Sequence, residues 1–277
     1  FLHKSMGTEC LSPDIGIGFK IIYLNNKYTF NLSINQLKQG EYFTIVPLEG
    51  KIVNSDKPDY WSFSTRCSFR PVFYQIGVDN CILQIGFSLY YENSSGCYVR
   101  YKSFTEAESR NTVPILDTNS SNGTRLLKAK KRYGMGFDVA YQINSFFCNF
   151  ELHSSSVKNE VEEILTYFAY HFQLSYILTG QNRIFNKKYG SWKMINFVKR
   201  NVYEIAFRNS FIDFDVGHFI TNGRAYNKTI CFNWYVNEKL SFGINYIRSK
   251  QEPSVNAGFD CVVRKLHIFG TRIQLKF

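Results

Sequence analysis

The chain has 277 residues, 17% of them aromatic, and a formal net charge of +11. No apolar run reaches the ~18 residues a membrane-spanning helix needs, and mean hydropathy is −0.24, so a helical membrane protein is excluded. The bases are spread along the chain with no run of five or six, which excludes a basic tail. No nucleic-acid partner is expected; small anions or anionic lipid fit the charge better.

Taken in chain order, period two dominates. Residues 14–25 alternate, with Ile15, Ile17, Phe19 and Ile21 on one face. From Tyr60 to Arg70 one face reads Trp61, Phe63, Thr65, Cys67, Phe69 and the other Ser62, Ser64, Arg66, Ser68, Arg70. One face is mostly apolar and the other wholly polar, as a strand between lipid and water requires. The pattern recurs in 81–91, 98–102, 132–141, 146–153, 166–178, 230–236, 240–246 and 266–277. About twelve such segments are expected, each suited to the ~9–11 residues of a tilted membrane strand. The fold class is therefore all-β, a transmembrane antiparallel β-barrel.

Asn144-Ser145 and Asn237-Glu238 read as tight hairpin turns of the periplasmic side. Residues 106–130, 155–164, 215–225 and 250–263 read as longer polar connections of the extracellular side. Residues 37–58 and 180–198 fall on the periplasmic side by parity yet are long. Either an extra hairpin hides there or the count is off by two. Residues 157–165 have the composition for one or two helical turns in an acidic loop. No repeat or low-complexity linker appears, so residues 1–277 are read as one domain.

The seven Cys include no C-x-x-C pair, so zinc and redox motifs are unsupported. Cys67, Cys81, Cys97 and Cys148 fall on apolar faces and read as small hydrophobes. Gly16-Ile17-Gly18 and Gly134-Met135-Gly136 lack a following helix and are not phosphate loops; small residues relieving crowding explain them better. His153-Ser154-Ser155-Ser156 shows no marked base or oxyanion hole for a nucleophile and reads as a strand end. No enzyme, cofactor or metal is expected.

The last residues, Phe269 to Phe277, alternate up to a terminal Phe. Phe277, Leu275 and Ile273 resemble the last-strand signal that outer-membrane barrels present to their assembly machinery. Other segments carry a more specific resemblance. Cys231-Phe232-Asn233-Trp234-Tyr235-Val236-Asn237 resembles G-x-N-W-Y-x-N, and Ile244-Asn245-Tyr246 resembles L-N-Y. Residues 176–183 resemble Y-x-L-T-G-E-x-R, with Gln181 at the Glu position. Residues 203–210 resemble W-E-L-A-A-R-Y-S, and residues 61–66 an earlier strand. In this order the motifs resemble the phosphate-selective porin O/P family. The resemblance implies a bacterial outer-membrane porin, a sixteen-stranded and usually trimeric barrel contacting outer-membrane lipid and passing small phosphate-like anions. Phe1-Leu2-His3-Lys4-Ser5 resembles F-x-E-R-S, which lies well inside the family pattern. No leader is visible at Phe1, so the chain is expected to be N-terminally incomplete, lacking four or so strands.

A passive channel needs bases along its lumen wall, weak and multiple so that the ion leaves again. Parity supplies candidates for the anion pathway: Arg66 and Arg70 on one polar face, Arg100 and Lys102 on another, and Arg132, Arg208 and Arg272 on their own strands. Each could instead pair with an acid and stiffen the wall. An alternative function is a structural or surface-interaction barrel with a narrow lumen, or the remnant of a split porin gene.

Overall fold

In the computed structural model the period-two segments are strands. Described are residues 11, 17–37, 60–76, 79–93, 97–99, 101–103, 106, 116–117, 127–186, 191–195, 200–216, 220–252 and 263–276. The strands are β1 (Ile17–Leu24), β2 (Tyr28–Leu37), β3 (Tyr60–Ile76), β4 (Asp79–Glu92), β5 (Cys97–Val99), β6 (Lys102–Ser103), β7 (Leu116–Asp117), β8 (Leu127–Ile143), β9 (Phe146–Asn159), β10 (Ile164–Ile177), β11 (Arg183–Asn186), β12 (Ser191–Ile195), β13 (Val202–Val216), β14 (Ile220–Tyr235), β15 (Leu240–Glu252) and β16 (Arg264–Leu275).

One antiparallel sheet runs β1-β2-β3-β4-β8-β9-β10-β13-β14-β15-β16, with β5 also paired to β8. Among the described residues no ladder joins β1 to β16. The strands β3 and β8 are 17 residues long, more than the ~9–11 that cross a bilayer. Pro71 cannot donate to a ladder, and it sits at the register shift between Phe69 and Val72 on β3, where a bulge tolerates it.

The short turns share one construction. Asn25 Oδ1 accepts from the Lys27 and Tyr28 amides at 2.8 and 2.6 Å. Asn237 Oδ1 accepts from Lys239 and Leu240 at 2.8 and 2.9 Å. Such Asn side chains stand in for a backbone turn. Asn144 closes β8 to β9 at φ 47°, a conformation Asn tolerates better than most residues.

Alternation sorts the two faces in the reverse of a soluble protein. Phe63, Phe87, Phe137, Ile205, Phe232 and Ile244 are exposed outward. Ser62, Ser68, Arg70, Gln84, Glu92 and Asn245 are buried inward. Buried polar and exposed large apolar residues are the informative observations in such a comparison. Among the described residues, Leu11 and two longer chain segments are buried against the inner face.

The first of these segments corrects the reading of residues 106–130. The described residues ahead of β8 fold inward rather than standing outside as a polar loop. Tyr101, Glu106 and Leu116 are buried, β6 pairs with β7, and β7 lies against β14. The inner face is locally apolar there, with Val157, Tyr167, Ile212, Phe214 and Ala225 in one cluster with Tyr101 and Leu116. Apolar residues facing inward need a cover, and this segment supplies it.

The second is β11–β12, the hairpin expected as one alternative for residues 180–198. It forms its own small sheet rather than a crossing pair. Phe185 and Trp192 pack edge-on at 5.0 Å, against Phe73 and Phe147.

Other connections also differ from expectation. Residues 157–165 hold no helix: β9 runs to Asn159, and a turn over residues 160–163 leads into β10. Likewise β13 and β14 extend through most of residues 215–225, and β15 runs to Glu252. Residues 98–102, which alternate like a crossing strand, are divided between β5 on β8 and the infolded β6. They add no crossing, so the side of every earlier connection reverses. Leu37 and Tyr60 therefore stand opposite each other at the long-connection end, not at the end of the Asn144 turn; most of 37–58 lies outside the described residues.

Candidate channel lining

On the inner face of β3, Arg66 reaches across β4 to Asp138 on β8, at 2.7 Å (Nη1 to Oδ1) and 2.9 Å (Nη2 to Oδ2). Two parallel N–H···O bonds give such a pair its geometry and strength. Gly86 makes the crossing open: a Cβ there would lie 2.4 Å from the Asp138 carboxylate. Beside this pair Lys20, Asn31, Ser33, Ser64, Arg66 and Ser88 line a hollow of about 200 Å³. Among the described residues Lys20 has no carboxylate partner.

Further along the wall, Arg132 on β8 pairs with Glu92 on β4 at 3.1 Å and lies over the Tyr101 ring at 5.3 Å. Ser155 on β9 bonds to both Tyr90 and Tyr101, at 2.6 and 2.7 Å. Arg208 on β13 lies 3.5 Å from Glu106 and donates to Gln173. Glu106 accepts also from Ser210 and Thr229. Glu151 faces His153 at 3.3 Å and His171 at 3.9 Å.

At the short-turn end the arginines hold the hairpin. Arg183 on β11 pairs with Glu204, which also accepts from Asn233 and Tyr235 at 3.0 and 2.8 Å. Gln142 donates to the Arg183 carbonyl at 2.9 Å and accepts from Trp192 at 2.5 Å. Arg70 is 1% exposed and donates to the Asn25 and Asn26 carbonyls at 2.8 Å each. Its guanidinium lies 5.3 Å from the Phe185 ring.

The sequence-derived residues therefore fall as follows. Arg66, Arg70, Arg132 and Arg208 are on the inner face, each with acid or carbonyl partners from a neighbouring element. Arg272 faces inward on β16 opposite Gly243. Lys102 stands opposite Asp117 in β6–β7. Arg100 and Phe277 lie outside the described residues. Leu275 and Ile273 point outward from β16 and are exposed. Sequence reasoning missed Glu106, Arg183 and Lys20 as lining groups. Arg183 closes the quoted 176–183 motif, and Lys20 shares the even face of residues 14–25; Glu106 left no signal. The hydroxyls after His153 are engaged elsewhere, Ser155 with tyrosines and Ser156 with Thr166 at 2.8 Å. Among the described residues no cluster of His, Cys, Asp and Glu could hold a metal ion.

An antiparallel sheet that turns apolar side chains outward and arginine-carboxylate pairs inward, with a segment folded against its inner face, has the side-chain layout of porin-type β proteins. The family model of the phosphate-selective porins O and P matches residues 75–277, and the chain belongs to that family. The family is not an enzymatic one. The match takes in the motifs of 176–183, 203–210 and 231–246, while the resemblances in 1–5 and 61–66 precede it. No curated protein matches the chain.

Proposed function

We propose that the sheet closes into a barrel in the bacterial outer membrane and acts as a passive, anion-selective channel for phosphate or similar oxyanions. The observation that carries this reading is the inner wall itself. Arg66, Arg132, Arg183 and Arg208 recur on it from β3 to β13, with Lys20 beside the Arg66 hollow. A hydrated anion entering a low-dielectric layer needs fixed positive charge and hydroxyl donors, each weak enough to release it. Arg66 meets that demand: Asp138 holds its guanidinium in place while leaving it 39% exposed, whereas Arg132 and Arg208 are buried in their pairs.

Closure is part of the proposal. Lipid cannot satisfy the edge groups of β1 and β16, so they pair with each other or with further strands. A homotrimer, outer-membrane lipid around the outward apolar face, and recognition of Phe277, Leu275 and Ile273 by barrel-assembly machinery belong to the same reading. Planar-bilayer recording of the refolded chain tests it. Discrete conductance steps with anion selectivity at neutral pH are expected; cation selectivity overturns it.

One observation favours a second reading, a narrow or non-conducting structural barrel. The infolded segment is pinned by Glu106 at one end, and Phe185 and Trp192 fill the other. That reading expects stable insertion without ion flux, and steady single-channel steps exclude it.

A further inference from the structure

The outward face of β14–β16 changes character near the long-connection end. Ile230, Tyr246 and Phe269 form one outward cross-strand row. The next row is Lys228, Arg248 and His267, and the one beyond is Tyr226, Lys250 and Lys265. Lys228 thus stands directly opposite Arg248, and Lys250 opposite Lys265. Like charges in directly opposed positions destabilise a sheet. Tyr226, Lys228, Arg248, Lys250, Glu252 and Lys265 surround a depression of about 390 Å³.

Lys250 is partly answered by Glu252 and by the Tyr226 ring at 5.9 Å. Among the described residues Lys228, Arg248 and Lys265 have no carboxylate partner. The same end of β8–β9 is different. There Glu162 takes both Lys130 and Lys158. Lys131, exposed and directly opposite Lys158, is the one base there without a carboxylate partner among the described residues, whereas β14–β16 gather three in two adjoining rows.

We infer that this patch binds the phosphate groups of an anionic membrane lipid whose acyl chains lie on the adjoining apolar rows. The inference rests on the outer-membrane reading above. Phosphate oxygens supply the charge that the opposed bases lack, through charge-assisted hydrogen bonds. The Ile230–Tyr246–Phe269 row continues the surface toward the bilayer centre, so the ligand that fits is amphipathic. Free phosphate would leave that row unused. A second copy presenting its own patch would bring like charges together.

The test uses the full chain, refolded in detergent and freed of lipid, with retained lipid read by native mass spectrometry. The probes are diphosphoryl lipid A, its dephosphorylated counterpart and inorganic phosphate. The diphosphoryl form is retained and the dephosphorylated form is not. The Lys228→Ala/Arg248→Ala/Lys265→Ala variant weakens half-saturation by about a hundredfold, at the usual worth of three bases near an anionic surface. Lys130→Ala/Lys158→Ala, which removes bases already paired, leaves it unchanged. If the triple variant fails to fold, Arg248→Gln alone weakens retention in the same direction.

Equal retention by altered and unaltered chains overturns the inference. So does displacement of the lipid by inorganic phosphate at equal concentration, or a triple variant that loses self-association rather than lipid. Bilayer conductance on the same preparation separates the two readings. A chain that retains the lipid without conducting defeats the channel and leaves the patch. A chain that conducts but retains no lipid does the opposite.

Discussion

Glu106 and Arg208 face each other across 3.5 Å with side chains 1% and 7% exposed, and this pair ties the infolded segment to the sheet wall. The Glu106 carboxylate also accepts from Thr229 at 2.7 Å and from Ser210, so one side chain bridges β13 and β14. Removing one member of a buried pair leaves the other uncompensated and costs about 3–5 kcal/mol. Glu106→Ala is expected to release the segment and to open the Arg208 guanidinium to the lumen. Limited proteolysis before β8 should become faster, and single-channel conductance and anion preference should both rise. Unchanged cleavage and conductance would show that Glu106 is not the anchor.

Gly134 is expected to be intolerant of any side chain. A Cβ there would lie 2.3 Å from the Tyr90 ring and 2.6 Å from the Ser154 carbonyl. The ring crosses Gly134 to bond Ser155, and the carbonyl belongs to the neighbouring strand. Gly134→Val should cost about 1–3 kcal/mol for overpacking and roughly 1 kcal/mol more for the lost tyrosine bond. Gly136→Ala should cost less, because its nearest neighbour is the Ser88 hydroxyl at 2.6 Å, which turns away on one bond. The midpoint of heat-modifiable gel mobility compares the two; equal midpoints contradict the packing argument.

Those two glycines show what the sequence could and could not convey. Their placement on a crowded strand face was legible from alternation, and so were the outward apolar residues and the Asn turns, because period two and turn chemistry are local. The identity of the crowding atoms was not. Asp138 meets Arg66 only through the register of β3, β4 and β8, which no single strand encodes, so the alternation could name no acid for Arg66. The infolded segment was missed for a related reason. Its cue was not in residues 101–117 but in Ile212, Phe214 and Ala225, apolar residues at inward positions of other strands.

The turn between β9 and β10 should respond to acid. Hydrogen bonds from Lys130 and Lys158, with their charges, hold the exposed Glu162 carboxyl down to about 2, from an ordinary 4.5. A depressed acid stabilises the folded turn above its unfolded value, and that stabilisation is lost as pH falls toward the folded value. The window is therefore from about 4.5 down to about 2. The protection factors of the Glu162 and Glu163 amides, bonded to the Asn159 carbonyl and side chain at 3.2 and 2.8 Å, should fall across that window once the intrinsic pH dependence of exchange is divided out. Glu162→Gln should flatten the response at every pH. A variant that keeps the same acid dependence would assign it to another group.

Charge selectivity should divide between Arg66 and Asp138 in opposite directions. The guanidinium is 39% exposed and the carboxylate 11%, so the base is the open member of the pair and the acid lies behind it. Asp138→Asn leaves the base uncompensated and should move the reversal potential in a salt gradient toward the anion's equilibrium value. Arg66→Gln leaves a carboxylate on the wall and should move it toward the cation's. The double variant should fall between them, near the unaltered protein, because both charges are gone. Stability separates a wall strut from a pathway group. For a pair this exposed, a double-mutant cycle should give a coupling of about 1 kcal/mol or less, too little to unfold a sheet of this size. If both single variants leave the reversal potential where it was while lowering the unfolding midpoint, the pair only stiffens the wall and the anion path runs elsewhere.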